Sequence, residues 1–182
     1  VGPKLGVELY VRDTQLDQGR FPTVDFLPDP TKKGETARHW CGPDIKLDTP
    51  DANGNYQFPL TGTIDFLQFV DTLTDDFRNV ATHATETITT RVYVQVHNRG
   101  VLQATNVRVM LLLTPATVGL PPLPAGYENN VQNGTPIETA NWTTVGITTL
   151  SDVRVGFPKI AAFDLTSDKL PPPANLTGNQ HH

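Results

Sequence analysis

The run Asp51-Ala-Asn53-Gly-Asn55 sets oxygen-bearing side chains at alternate positions, as a loop that wraps a calcium ion does. An EF-hand loop also needs Gly at its sixth position and a bidentate Glu at its twelfth, and counting from Asp51 those positions hold Tyr56 and Gly62. The match fails there. A polar turn is the expected reading, with Asp51, Asn53 and Asn55 kept as calcium candidates and Asp44 and Asp48 as supplements that nothing in the spacing brings to them. His39 and Cys41 make a possible metal pair, but a tetrahedral zinc site needs four ligands, and His83 and His97 lie far off in sequence. A structural or surface role is expected for all of them, and His181-His182, which reads equally as a tag remnant or a native site, is assigned no function. No cofactor is expected.

Nucleophilic catalysis is poorly served. Cys41 has no local motif, and the two serines, Ser151 and Ser167, sit in no Gly-x-Ser-x-Gly elbow. Carboxylates are plentiful, but a glycosidase pair is defined by separation in space, which spacing along the chain does not give. The expectation is that the chain is not an enzyme. Binding chemistry rests on aromatics: Trp40, Tyr56, Tyr127 and Trp142 could stack on sugar rings if exposed, whereas at least one Trp is expected to pack between sheets. Asn141-Trp-Thr143 and Asn175-Leu-Thr177 match glycosylation sequons.

The frame that must position these groups is read from composition and periodicity. Hydrophobic residues make up 37% of the 182 positions and charged ones 18%, with 16 Pro and 14 Gly, a balance that disfavours long helices and suits turn-rich β-structure. A net charge of -5 argues against a nucleic-acid partner, which needs a concentrated basic face. The strongest apolar run, Val107 to Leu113, is strand-length and contains Arg108, so membrane insertion is not expected. One cysteine allows no internal disulfide. The chain begins at Val1 without an initiator Met and is expected to be a processed or excised piece of a longer protein.

Residues 5–12 alternate, with Leu5, Val7, Leu9 and Val11 on one face, and predict a half-buried strand. Residues 13–43 read as a long irregular connection, 44–48 as a short strand, and 51–55 as a turn. The spacing of Phe66, Phe69, Val70, Leu73, Phe77 and Val80 predicts one short helix within 65–80. Ile88 to Val96 and Val107 to Leu113 alternate on either side of Asn98-Arg99-Gly100, and predict an antiparallel hairpin. Its second strand carries Met110 and Leu112 on an outward face expected to be partly covered. Residues 114–140 form another irregular connection, and Trp142–Leu150 and Val153–Leu165 predict strands, the latter bent at Pro158. Short strands without βαβ alternation predict an all-β, Ig-like antiparallel β-sandwich with long loops. Its expected layout is an N-terminal strand and irregular lead-in over 1–43, the sandwich over 44–170, and an extended Pro/Asn-rich tail over 171–182.

Two stretches carry a resemblance. VYVQVHNRG (92–100) followed by ATNVRVMLLL (104–113) resembles the cell-adhesion-related domain found in bacteria, CARDB, with its valine-alternating strand, Asn-x-Gly turn, and Asn-Val opening the next strand. LYVRDTQLDQGRFP (9–22) with GPDIKLD (42–48) resembles the region that precedes such domains in large secreted or surface proteins. The resemblance implies a seven-strand Ig-like sandwich, an extracellular or cell-surface location, and a role in adhesion, interaction or scaffolding through a protein partner or self-assembly. A module starting at Asp44 would then lack its last one or two strands. The gap would be filled by strand 5–12 or by another polypeptide through β-addition. The alternatives to this role are a carbohydrate-binding module or a structural subunit of a filament or particle.

Overall fold

The structure is a computed structural model and describes residues 6–12, 43–56, 89–114, 121–166 and 169–170. It is all-β and antiparallel. In chain order the elements are β1 (Leu9–Tyr10), β2 (Ile45–Asp48), β3 (Thr89–Asn98), β4 (Ala104–Leu113), α1 (Tyr127–Asn133), β5 (Thr143–Val153) and β6 (Lys159–Thr166). The helix expected within 65–80 lies outside the described residues.

β3 is the spine of the first sheet. β6 runs along one of its edges from Thr89↔Thr166 to Val96↔Lys159. The other edge is shared end to end: β2 covers Arg91 to Val94, and β1 covers His97 and Asn98. The Gln95 amide donates to Asp44 O at 2.8 Å and the Arg99 amide to Glu8 O at 3.0 Å. Alternate residues of a strand point their backbone groups to the same side, so β1 and β2 form one interrupted edge strand. Residues 13–43 are inserted at the interruption.

The second sheet is the pair β4–β5, with a register shift at Leu111/Leu112. The expected hairpin of β3 with β4 is therefore corrected: the two strands belong to different sheets. The cause is Asn98, which is buried and bonds to both layers. Its Nδ2 donates to Leu102 O at 2.8 Å and to Val153 O at 3.0 Å, which turns the chain from one sheet into the other.

Val92, Val94 and Val96 of β3, Ala161, Phe163 and Leu165 of β6, Ala104 and Val107 of β4, and Val145 and Val153 of β5 form one buried cluster. Ala104 and Val107 are three apart yet both buried, because Asn106 adopts φ 53° and resets the alternation between them. Gly146 lets the layers approach, since a Cβ there would stand 3.0 Å from Phe163 Cδ1. Met110 and Leu112 are half-buried, as expected of a partly covered face.

Three further expectations change. Val7, Leu9 and Val11 keep 47%, 40% and 38% of their surface exposed, so the apolar row of β1 lies mostly outside the core. The strand expected over 153–165 is broken by a turn, with Arg154 bridged to Phe157 and Gly156 at φ 73°, so Val153 ends β5 and β6 starts at Lys159. The connection 114–140 contains α1, which the sequence reading missed because its polar YENNVQN run has no apolar stripe and buries no residue. Gly126 and Gly134, both left-handed, delimit it. At its C-terminus the Gly134 amide donates to Val131 O and the Thr135 amide to Asn130 O, a Schellman closure.

Candidate functional site

The polar side chains that sequence reasoning weighs for chemistry sit where the long connections leave and rejoin the sheets. Asp44 immediately precedes β2 and is fully buried. Its carboxylate accepts the Arg12 amide at 2.7 Å, Arg12 Nε at 3.0 and 3.1 Å, and an Arg12 terminal nitrogen at 2.6 Å. His97 Nε2 lies 2.9 Å from the same carboxylate, as an ion-pair contact when the ring is protonated, and the ring stacks on Tyr10 with centroids 5.1 Å apart. Burial alone would raise the Asp44 pKa, but His97, the Arg12 guanidinium and the Arg12 amide outweigh it and hold the pKa below its ordinary value. Segment 13–43 thus leaves and returns across a single buried clasp.

A second clasp closes the base of segment 57–88. The Tyr56 hydroxyl donates to Thr89 O at 2.7 Å, and the Arg91 guanidinium lies 3.6 Å above the Tyr56 ring. A third anchors the connection that carries α1. Trp142 is 7% exposed and its indole N–H donates to Pro122 O at 3.0 Å. Beside it, Ile137 and Thr144 exchange bonds: the Ile137 amide donates to Thr144 Oγ1 at 2.7 Å and the Thr144 amide to Ile137 O at 3.0 Å.

Asn98 joins the first clasp to the layer crossing. Its Oδ1 accepts the Gly100 amide at 2.9 Å and the Glu8 amide at 3.3 Å, opposite the two carbonyls held by Nδ2. Gly6 O takes the Val101 amide at 2.9 Å, and Arg99 pairs with Glu8. Residue 100 has to be Gly: a Cβ there would collide with the Gly6 carbonyl and stand 2.8 Å from Glu8 N.

The aromatic and calcium candidates take their places in this frame. Tyr56 and Trp142 are both clasp residues, Tyr127 is the half-buried first residue of α1, and Trp40 lies outside the described residues. A glycan-stacking Trp must be exposed, and Trp142 is not. Asp51 Oδ1 accepts the amides of Asn53 at 2.8 Å and Asn55 at 2.9 Å, and Asp51 Oδ2 accepts the Asn55 side-chain amide at 3.3 Å, so the turn is closed by its own hydrogen bonds. Among the described residues no three His, Cys, Asp or Glu side chains converge as a metal ion would need. No helix among the described residues is long and apolar enough to cross a membrane.

Sequence reasoning missed Arg12, His97 and Asn98 as working residues, and took Asp44 only as a calcium supplement. The signal for Asn98 was the Asn-x-Gly spacing. Arg12 and Asp44 are separated by the whole insertion, and no local pattern links them.

The outward face of β3 is also buried. Tyr93 and Gln95 are both 0% exposed, although the alternation places them away from the valines. Burial, the largest influence on Tyr93, raises its pKa. Among the described residues neither Nε2 nor Oε1 of Gln95 has a hydrogen-bond partner. A buried amide without partners is costly, so Gln95→Met is expected to stabilise the fold by about 1 kcal/mol, raising Tm by a few degrees. A lower Tm in that variant would contradict the assignment.

Comparison of the chain with protein-family models, with curated proteins and with solved structures found no match in any of the three.

Proposed function

We propose that this chain is a non-catalytic, Ig-like β-sandwich module of a larger bacterial secreted or surface protein, acting in adhesion, interaction or scaffolding. Its connections 13–43 and 114–140 meet a protein partner, and its strands hold those connections in place. The observation that carries this reading is the use of the buried polar groups. Among the described residues, the polar and aromatic groups Asp44, Arg12, Tyr56 and Trp142 are committed to the bases of long connections. A scaffold that fixes the roots of its loops pre-organises them, which lowers the ordering cost on binding. The resemblance of residues 92–113 to CARDB points the same way.

The test displays the chain on cells that do not otherwise clump and measures cell–cell adhesion. The intact chain is expected to promote clumping. Replacing residues 13–42 and 123–135 together with Gly/Ser stretches of equal length is expected to abolish it, while the purified variant keeps its β circular-dichroism signal and cooperative melting. Clumping that survives both replacements contradicts the proposal.

A further inference from the structure

β1 is fastened differently from the other strands among the described residues. Its apolar side chains Val7, Leu9 and Val11 stay 38–47% exposed, so burial in the core contributes little to holding it. The fastening comes instead from a row of polar contacts along the end of β3. Gly6 O takes the Val101 amide in the notch left open by Gly100, the Glu8 backbone bonds Asn98 Oδ1 and the Arg99 amide, Glu8 pairs with Arg99, and Arg12 ends the row on Asp44. These contacts read a sequence pattern, Gly-x-Glu-x-x-x-Arg over Gly6–Arg12. Small at the first position, acidic two residues on and Arg four beyond that, it fits a groove made by the residues from His97 to Leu102 together with Asp44.

We infer that this groove is a strand-acceptor site, that β1 is its displaceable resident, and that residues 6–12 of a second copy of the chain can occupy it in exchange. The second copy is the occupant because it carries the whole pattern and can repeat each of these contacts, the condition for exchange of an identical element. Segment 13–43 is the only covalent tie between β1 and Asp44, and it is long enough to let β1 depart while β2 stays paired. A tether of this kind holds the resident at an effective concentration of about millimolar, so exchange belongs to crowded arrays, as on a cell surface. The inference deepens the interaction reading by naming one partner and its mode of attachment, β-addition.

The test uses the full chain with a specific protease site placed within 13–42, cleaved so that both pieces remain present, with circular dichroism checking that the β fold persists. A fluorescent peptide of residues 5–13 is added and its anisotropy followed. Saturable binding is expected, with peptides carrying Arg12→Ala or Glu8→Ala weakened about tenfold or more. The inference is overturned if the peptide binds no better than a scrambled control, or if both substituted peptides bind as well as the parent. Loop-dependent clumping that persists alongside either result would leave the interaction reading standing and remove only the strand exchange.

Discussion

Replacing Asn98 by Leu is expected to destabilise the fold by about 3 kcal/mol, lowering Tm by roughly 10 °C in a chain of this size. Leu keeps the same number of side-chain heavy atoms and the same branch at Cγ, so the variant removes the hydrogen bonds without leaving a cavity. Four are removed at once: the Gly100 and Glu8 amides lose their acceptor, and the Leu102 and Val153 carbonyls lose their donor. At a residue 4% exposed, water cannot easily replace them. Asn98→Asp distinguishes the two halves of the side chain. It keeps the acceptors for Gly100 and Glu8 but sets a carboxylate oxygen against two carbonyls, and is expected to be at least as damaging as Leu at neutral pH. Thermal melts of the three proteins check this. Loss of less than about 1 kcal/mol in Asn98→Leu would show that the layer crossing does not depend on this amide.

The second large effect belongs to Asp44. Asp44→Ala removes the buried carboxylate that accepts the Arg12 guanidinium, and breaking such a pair typically costs about 3–5 kcal/mol. The pH dependence has a definite sign. Asp44 has a folded pKa below the ordinary 3.8, so its contribution is fully present above that ordinary value. It is lost as pH falls through the depressed folded value. Asp44→Asn, which cannot ionise, is therefore expected to be less stable than the parent at pH 7, and the gap between them should narrow in strongly acidic solution. Denaturant unfolding of both proteins at pH 7, 4 and 2.5 checks it. A gap that is constant across that range would mean that the carboxylate charge does not contribute.

The sequence displayed those parts of this architecture that depend on short-range pattern. β3 and β4 are legible from alternation, β2 and most of β5 as strand-length runs, and the 51–55 turn from Asn and Gly at positions that accept its geometry. What escaped depends on long-range pairing. Alternation gives Val92 and Val107 the same kind of face but does not say whether their strands pair or stack. Here they lie in different sheets, and Asn98 bonds to both. β1 reads as a half-buried strand by periodicity, yet the apolar row that should be its buried side, Val7, Leu9 and Val11, keeps 38–47% of its surface exposed. Tyr93 and Gln95 have the phase of solvent-facing residues and are fully buried. α1 escaped because seven polar residues bounded by glycines have the composition of a loop, and its stability comes from its Schellman closure. The candidate site was visible residue by residue, in Asp44, Tyr56 and Trp142, but not in its use. Arg12 finds Asp44, and Tyr56 finds Thr89, only after the strands have set them side by side.

The claim on which the rest depends is that the roots of the long connections are locked by these side chains. Residue-resolved hydrogen exchange on the intact chain tests it at two amides, Arg12, bonded to Asp44, and Thr144, bonded to Ile137. Both are expected to exchange far more slowly than an unstructured peptide, Arg12 faster than the β3 amides because its segment can detach by itself, and Asp44→Ala should release Arg12 while leaving Thr144 protected. Exchange of both amides at the rate of an unstructured peptide in the parent protein would contradict the claim.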